Sequence, residues 1–196
     1  CSSDLVATSS GTTALHISLI LAGVDSDDLV ITQNITFVAT CNAIRYRGAH
    51  PVFIDANKQN WQMDLDLLEL FLQNETHQKN NQCYHNTTGK RIPVIVPVHV
   101  MGNIGDMDRL LQLAAQYHLV VIEDSTEALG SYYKGRHAGS FGKMGTFSYN
   151  GNKIITTGGG GMIVTDDEAL AKKAKHLTTQ AKSDPFEYFH DEIGYN

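Results

Sequence analysis

Short runs rich in β-branched residues alternate along this chain with stretches whose apolar residues recur every three or four positions. That alternation restricts the fold to a mainly parallel sheet covered by helices, an α/β architecture. Residues 12–21 place Ala14, Leu15, Ile17, Leu19 and Leu21 on a helical period directly after the small polar turn Ser9-Ser10-Gly11. The same period, with polar starts, predicts helices over 37–47, 64–72 (capped by Asp64), 107–117 and 168–180. Strands are predicted at 29–32, 51–55, 92–98, 119–123, 146–149 and 162–165, the run at 119–123 being the most apolar. Residues 73–91 are polar and rich in Asn and Gln, which reads as an exposed loop, and Tyr132 to His137 reads as a hairpin. Trp61 and Met63 are expected to pack beneath the helix that Asp64 opens. No internal repeat or low-complexity linker interrupts the pattern, so one continuous domain over residues 1–196 is the simplest organisation.

The chain has 196 residues, 42% of them apolar, with 15 Lys+Arg against 21 Asp+Glu for a net charge of −6. A chain of this size buries about 70% of its unfolded surface and needs no staples. The net acidity and the lack of any Lys/Arg run exclude nucleic acid as the main partner, because phosphate backbones require clustered cations. No stretch approaches 18 apolar residues, and the N-terminus lacks the basic-then-apolar order of a signal peptide, so a cytoplasmic protein with no membrane partner is expected. Cys1, Cys41 and Cys83 form no CxxC pair and are odd in number, against a disulfide framework or a cysteine zinc site. His190, Asp191 and Glu192 have ligand chemistry but no second cluster at supporting spacing, so no metal is assigned. The opening without Met and the stop at Asn196 predict a fragment, truncated at both ends, of a larger protein.

In open α/β sheets ligands bind beyond the carboxyl ends of the strands, and three stretches fall there. The turn Ser9-Ser-Gly-Thr12 opens onto a helix, where backbone N–H groups and the helix dipole favour a phosphate; an ordinary helix cap is the equal alternative. Asp124 ends the most apolar strand, and a carboxylate there requires a cationic or hydrogen-bonding partner, such as a protonated pyridine nitrogen, or else caps the next turn. Lys153 has no acidic residue within ten positions and lies among small and apolar residues before the run Gly158 to Gly161. A lysine withdrawn from water becomes a nucleophilic amine, although most single lysines are simply solvated.

The segments Ser10-Gly-Thr-Thr-Ala-Leu-His16, Thr36-Phe-Val-Ala-Thr-Cys-Asn42, Val121-Ile-Glu-Asp124, Phe147 through Gly158 and Asp191-Glu-Ile-Gly-Tyr-Asn196 together resemble the DegT/DnrJ/StrS family of pyridoxal-phosphate (PLP) sugar aminotransferases, in the family's order and over essentially the whole chain. The resemblance implies a fold-type I large domain with a seven-stranded-type sheet, the small C-terminal domain lying outside this chain. It implies that Lys153 carries PLP as a Schiff base, that Asp124 faces the pyridine nitrogen, and that Gly11, Thr12 and Ser148 hold the phosphate. Phe37 takes the place of the aromatic that stacks on the cofactor ring, and Asn196 that of the asparagine reaching the phosphate of the neighbouring subunit in a homodimer. Glu127, three residues after Asp124, departs from the Gln or His of many members and stands beside the cofactor or the substrate. Ser125 to Gly130 and His176 to Thr179 are most similar to the branch acting on UDP-linked 4-keto-6-deoxy amino sugars.

The expected partners are therefore a nucleotide-linked keto sugar and glutamate, and the expected reaction is amino transfer to C4. Two rivals are a PLP sugar dehydratase, which carries His in place of the lysine, and a non-catalytic nucleotide-binding α/β module built on Ser10 to Thr12 and the glycine run. Lys153 speaks against the first. His99, after a buried strand, is read as a core or capping histidine as readily as a functional one.

Overall fold

The computed structural model describes residues 4–184 and 186–195. In chain order the elements are β1 (Asp4–Thr8), α1 (Gly11–Leu21), β2 (Leu29–Gln33), α2 (Val38–Tyr46), β3 (His50–Ile54), α3 (Leu65–Glu75), β4 (Thr76–Lys79), β5 (Gln82–His85), β6 (Arg91–Ile92), β7 (Val94–Val96), α4 (Met107–Gln116), β8 (Val120–Asp124), β9 (Tyr132–Tyr133), β10 (Arg136–His137), β11 (Met144–Ser148), β12 (Gly161–Thr165) and α5 (Glu168–Leu177). Seven strands form one sheet in the order β1-β12-β11-β8-β7-β2-β3. β11, β8, β7, β2 and β3 pair in parallel, while β12 runs antiparallel to both of its neighbours.

Helices cover both faces, as buried parallel strands require. On one face α1, α2 and α5 enclose Ala14, Leu15, Ile17, Ile44, Ala174 and Leu177 against Val30, Val94, Ile122 and Ile163. On the other, Leu68 and Leu72 of α3 and Met107, Leu110 and Leu113 of α4 pack on Ile31, Ile95 and Val121. Side-chain caps start four of the five described α-helices, α2 being the exception. Ser10 Oγ accepts from Thr13 N at α1, and Asp64, Asp106 and Asp167 accept first-turn amides at α3, α4 and α5. All five residues of β2 are buried, as befits a strand inside the sheet.

The structure corrects several expectations. The polar stretch at 73–91 is not a loop: it ends α3 and then forms a three-stranded antiparallel sheet, β4-β5-β6. β4 and β5 are joined by Asn80 and Asn81, both at positive φ, a two-residue turn that asparagine tolerates. Pro93 splits the predicted 92–98 strand into β6 and β7, since proline donates no ladder hydrogen bond. β1, too short and mixed to stand out in sequence, adds an edge strand beside β12. Met63 is buried as expected, but Trp61 is half exposed at a positive φ of 65°. The predicted hairpin at 132–137 is present as β9 and β10.

Candidate active site

Parallel strands β11, β8 and β2 end on one side of the sheet, and the loops that follow them meet the start of α1 there. They enclose a cavity of about 330 Å³. Seven of the residues singled out from sequence, Gly11, Thr12, Phe37, Asp124, Glu127, Ser148 and Lys153, line it together. Asn196 lies outside the described residues. Ser9, Ser10, Leu15, Ala39, Thr126, Asn150, Asn152, Gly159 and Gly160 complete the lining.

Asp124 is 4% exposed at the end of β8. Its Oδ2 accepts from Thr40 Oγ1 at 2.7 Å, and Oδ1 accepts from Thr126 Oγ1 at 2.7 Å and from Thr126 N at 3.3 Å. Among the described residues it has no ion-pair partner. A buried carboxylate held by two hydroxyls and one backbone amide, with no cation beside it, is strongly disposed toward a cationic group brought in by a ligand.

α1 presents its N-terminus to the same cavity. A Cβ on Gly11 would sit 2.7 Å from Ser148 Cβ and 3.1 Å from Thr126 Cγ2, so the glycine keeps open a cradle that a side chain would fill. The backbone N–H and hydroxyl of Thr12 make no hydrogen bond among the described residues. Free amides at a helix N-terminus suit an anion such as phosphate.

Lys153 follows β11 on a turn closed by its own N–H to Asn150 O at 3.0 Å. Its side chain is 15% exposed and is the only cationic side chain lining the cavity among the described residues. The acid-free setting inferred from sequence does not survive folding: Glu127 Oε1 lies 3.9 Å from Nζ. Glu127 is fixed in turn by Met101 N, which donates to Oε2 at 2.8 Å. Phe37 sits immediately before α2, 72% exposed, where its ring can cover a planar ligand. These groups fit PLP: a carboxylate for the ring nitrogen, a cradle for the phosphate, an aromatic for the ring face and an amine at its carbonyl.

Sequence reasoning missed the supports of this site. Thr40 and Thr126 hold Asp124, and the Asp124-Ser-Thr126 spacing was the available signal for one of them. Glu123, fully buried, accepts from Gly139 N, Phe141 N and Gly142 N at 2.6–2.8 Å and pairs with His99 Nε2 at 2.8 Å, so His99 is a core histidine. That arrangement fixes the loop leading into β11. Away from the cavity, His176 meets Asp191 Oδ1 at 2.7 Å and Glu192 Oε1 at 3.3 Å, and Lys173 also pairs with Glu192, so these acids tie α5 to the C-terminal segment. His190 stands apart, its Nδ1 against Gln180 O at 2.7 Å.

A family model described as the DegT/DnrJ/EryC1/StrS aminotransferase family matches residues 2–196. GDP-perosamine synthase of Escherichia coli O157:H7 is 41% identical over 188 residues, covering 96% of this chain and 47% of the relative. EpsN of Bacillus subtilis (strain 168), which its name describes as a pyridoxal phosphate-dependent aminotransferase, is 44% identical over 190 residues, covering 97% of this chain and 46% of EpsN. The crystal structure of a DegT DnrJ EryC1 StrS aminotransferase from Brucella abortus superposes with a TM-score of 0.86 at 27% identity, over 98% of this chain and 49% of that one. The chain thus spans about half the length of the relatives it matches. With a family model matched from residue 2 to residue 196 and the expected sheet in place, the chain belongs to the DegT/DnrJ/EryC1/StrS aminotransferase family.

Proposed function

We propose that this chain is the PLP-binding large domain of an aminotransferase that moves an amino group from glutamate to the 4-keto carbon of a nucleotide-linked 4-keto-6-deoxy sugar. The observation that carries the reading is the convergence of Lys153, Asp124 and the Gly11 turn on one cavity of about 330 Å³. The names of the relatives, with their GDP-linked product and PLP dependence, support a nucleotide sugar and this cofactor. The segments 125–130 and 176–179 favour the branch that aminates UDP-linked amino sugars.

PLP, when bound, supplies an electron sink for the charge left by removing a proton from carbon. The protein's own residues do the rest. Asp124, braced by Thr40 and Thr126, would face the ring nitrogen and stabilise positive charge there. Thr12, Ser148 and the α1 N-terminus, which line the cavity, would hold the phosphate, and Phe37 would cover the ring face. Lys153 Nζ takes the proton from the donor's α-carbon and returns a proton to the sugar side, alternating as general base and general acid. Glu127 Oε1, close to Nζ, orients the lysine between those roles. Two exposed isoleucines (Ile154 and Ile155) close to Lys153 in the chain and the exposed apolar side chains Phe186, Phe189 and Ile193 support a homodimer, in which, by the family resemblance, Asn196 would serve the neighbour's site. No described helix is long and apolar enough to cross a membrane.

The test is a panel of 4-keto nucleotide sugars offered with glutamate to the full-length protein. Amination at C4 of at least one is expected. PLP binding without amination of any keto sugar would overturn the substrate class, and dehydration in place of amination would favour the rival PLP chemistry.

A further inference from the structure

The turn after β8 that carries Glu127 is held from two sides. On one side Met101 N donates to Glu127 Oε2 at 2.8 Å, and Ser131 Oγ donates to Gly102 O at 2.6 Å. On the other, Ala138 N donates to Ser131 O at 2.9 Å, and Gly130 N donates to His137 Nε2 at 2.9 Å. The contacts of His137 fix its protonation state. Nε2 faces an amide, which can only donate, and Nδ1 lies 2.6 Å from Ala138 O, which can only accept. Only the neutral imidazole with its proton on Nδ1 satisfies both; the other neutral tautomer opposes both, and the imidazolium sets Nε2–H against Gly130 N–H. The same ring lies 5.8 Å from that of Phe147, which is buried on β11 next to Ser148, and 5.1 Å edge-on from that of Tyr132 on β9. One imidazole therefore touches both the turn that bears Glu127 and the strand that leads to Lys153, and Glu127 Oε1 stands 3.9 Å from Lys153 Nζ.

We propose that His137 is a positioning residue for the Glu127–Lys153 pair and, through the proton that Nε2 must not carry, an acid-sensitive latch on the turn between them. The catalytic half of this rests on the reading of Lys153 as the group that moves protons in transamination. Protonation turns Nε2 from an acceptor into a donor. Gly130 N then loses its partner, and the turn loses the contact made by the ring that packs on β11. Among the described residues no carboxylate pairs with His137 to offset that charge. The ionisable groups on the elements around it are engaged elsewhere. Arg136 donates to Ser140 O and covers the Phe141 ring, Lys134 pairs with Asp108, and Tyr133 donates to Asp106. Glu123 accepts from three loop amides and meets His99, and Glu127 accepts from Met101 N. Tyr132 meets the imidazole through ring contact alone.

The test uses the full-length, PLP-loaded protein with two variants: His137→Gln, whose amide oxygen can accept from Gly130 N and takes up no proton, and His137→Phe, which keeps a ring and accepts nothing. Backbone amide exchange over residues 126–131, read by mass spectrometry, reports the latch without reference to activity. At neutral pH that segment should exchange about fivefold faster in His137→Phe than in wild type, the worth of one hydrogen bond, while His137→Gln matches wild type. Between about pH 8 and about pH 5, the range in which imidazoles charge, wild type should lose protection there relative to His137→Gln. In steady state kcat should fall about fivefold in His137→Phe with KM for glutamate within about twofold, and the acid limb of the kcat profile should move to lower pH in His137→Gln. Equal protection of 126–131 in wild type and His137→Phe overturns the latch, as does a loss of protection spread over the whole chain, which marks a purely structural side chain. Coincident acid limbs in wild type and His137→Gln overturn the acid sensitivity. Failure of the wild type to transaminate any keto sugar overturns the reading of Lys153 and the catalytic half of the proposal with it, whereas the exchange result decides the latch by itself.

Discussion

Asp124 and Lys153 divide the chemistry at the level of single residues, and each makes a distinct prediction. Lys153→Ala removes the only cationic side chain that lines the cavity among the described residues. Transamination should fall by at least about 10²–10⁴-fold, the usual worth of a positioned acid–base group, and the visible-edge absorbance of the bound cofactor should vanish. Asp124→Asn keeps the shape and removes the charge, so kcat/KM should drop on the order of a hundredfold, the value of one charge-assisted contact of about 3 kcal/mol. Gly11→Ala places a methyl 2.7 Å from Ser148 Cβ, and the expected result is weaker PLP retention in equilibrium dialysis with the protein still folded by circular dichroism. Asp124 and Lys153 stood out locally in the sequence as an acid ending an apolar strand and a lysine in a small-residue loop, but only the family resemblance gave them a joint role; the structure brings them to one cavity. The Lys153–Glu127 contact was not legible, because it joins loops after two different strands, a relation that no local pattern encodes.

Elements respond to their caps and buried polar groups. Asp64 caps α3 through Asp66 N and Leu67 N, and Asp64→Ala should lower stability by about 1 kcal/mol in urea denaturation. His16 on α1 lies edge-on to Tyr46 at 5.8 Å and Tyr195 at 5.2 Å. Burial, reinforced by the Arg47 charge, lowers its pKa below the ordinary imidazole value of about 6.5. The folded state thus binds this proton less readily than the unfolded chain does. Its contribution to stability is fully present above about pH 6.5 and is lost as the pH falls through the lowered folded value. His16→Phe should flatten that part of the pH dependence of the urea midpoint; an identical slope in the variant would contradict it. The helices and interior strands were readable because their periods are strong. β4 and β5 were not, since Thr76 and Cys83 are their only buried residues and the Asn80-Asn81 turn was submerged in a generally polar stretch.

For the whole molecule, the seven-stranded sheet does for the site what no element could do alone. It sets the ends of the neighbouring β11 and β8, and of β2 beyond β7, along one edge, so that residues from 9 to 160 meet in one cavity. The fold class was legible from the alternation of patterns, whereas the order of strands, with β1 and β12 completing one edge, depends on long-range pairing. The proposed dimer makes its own prediction at this scale. Full-length protein should sediment as a dimer, and Ile155→Glu, which puts a charge on an exposed apolar site next to Lys153, should shift it toward monomer and weaken cofactor retention together. A monomeric wild type with full PLP retention would contradict the shared site.

The account turns on which side chain holds the cofactor. Borohydride reduction of the PLP-loaded full-length protein, followed by peptide mass spectrometry, locates that bond directly. The predicted result is a phosphopyridoxyl mass on the peptide containing Lys153 and on no other; a mass on a different lysine, or none on any, would contradict it.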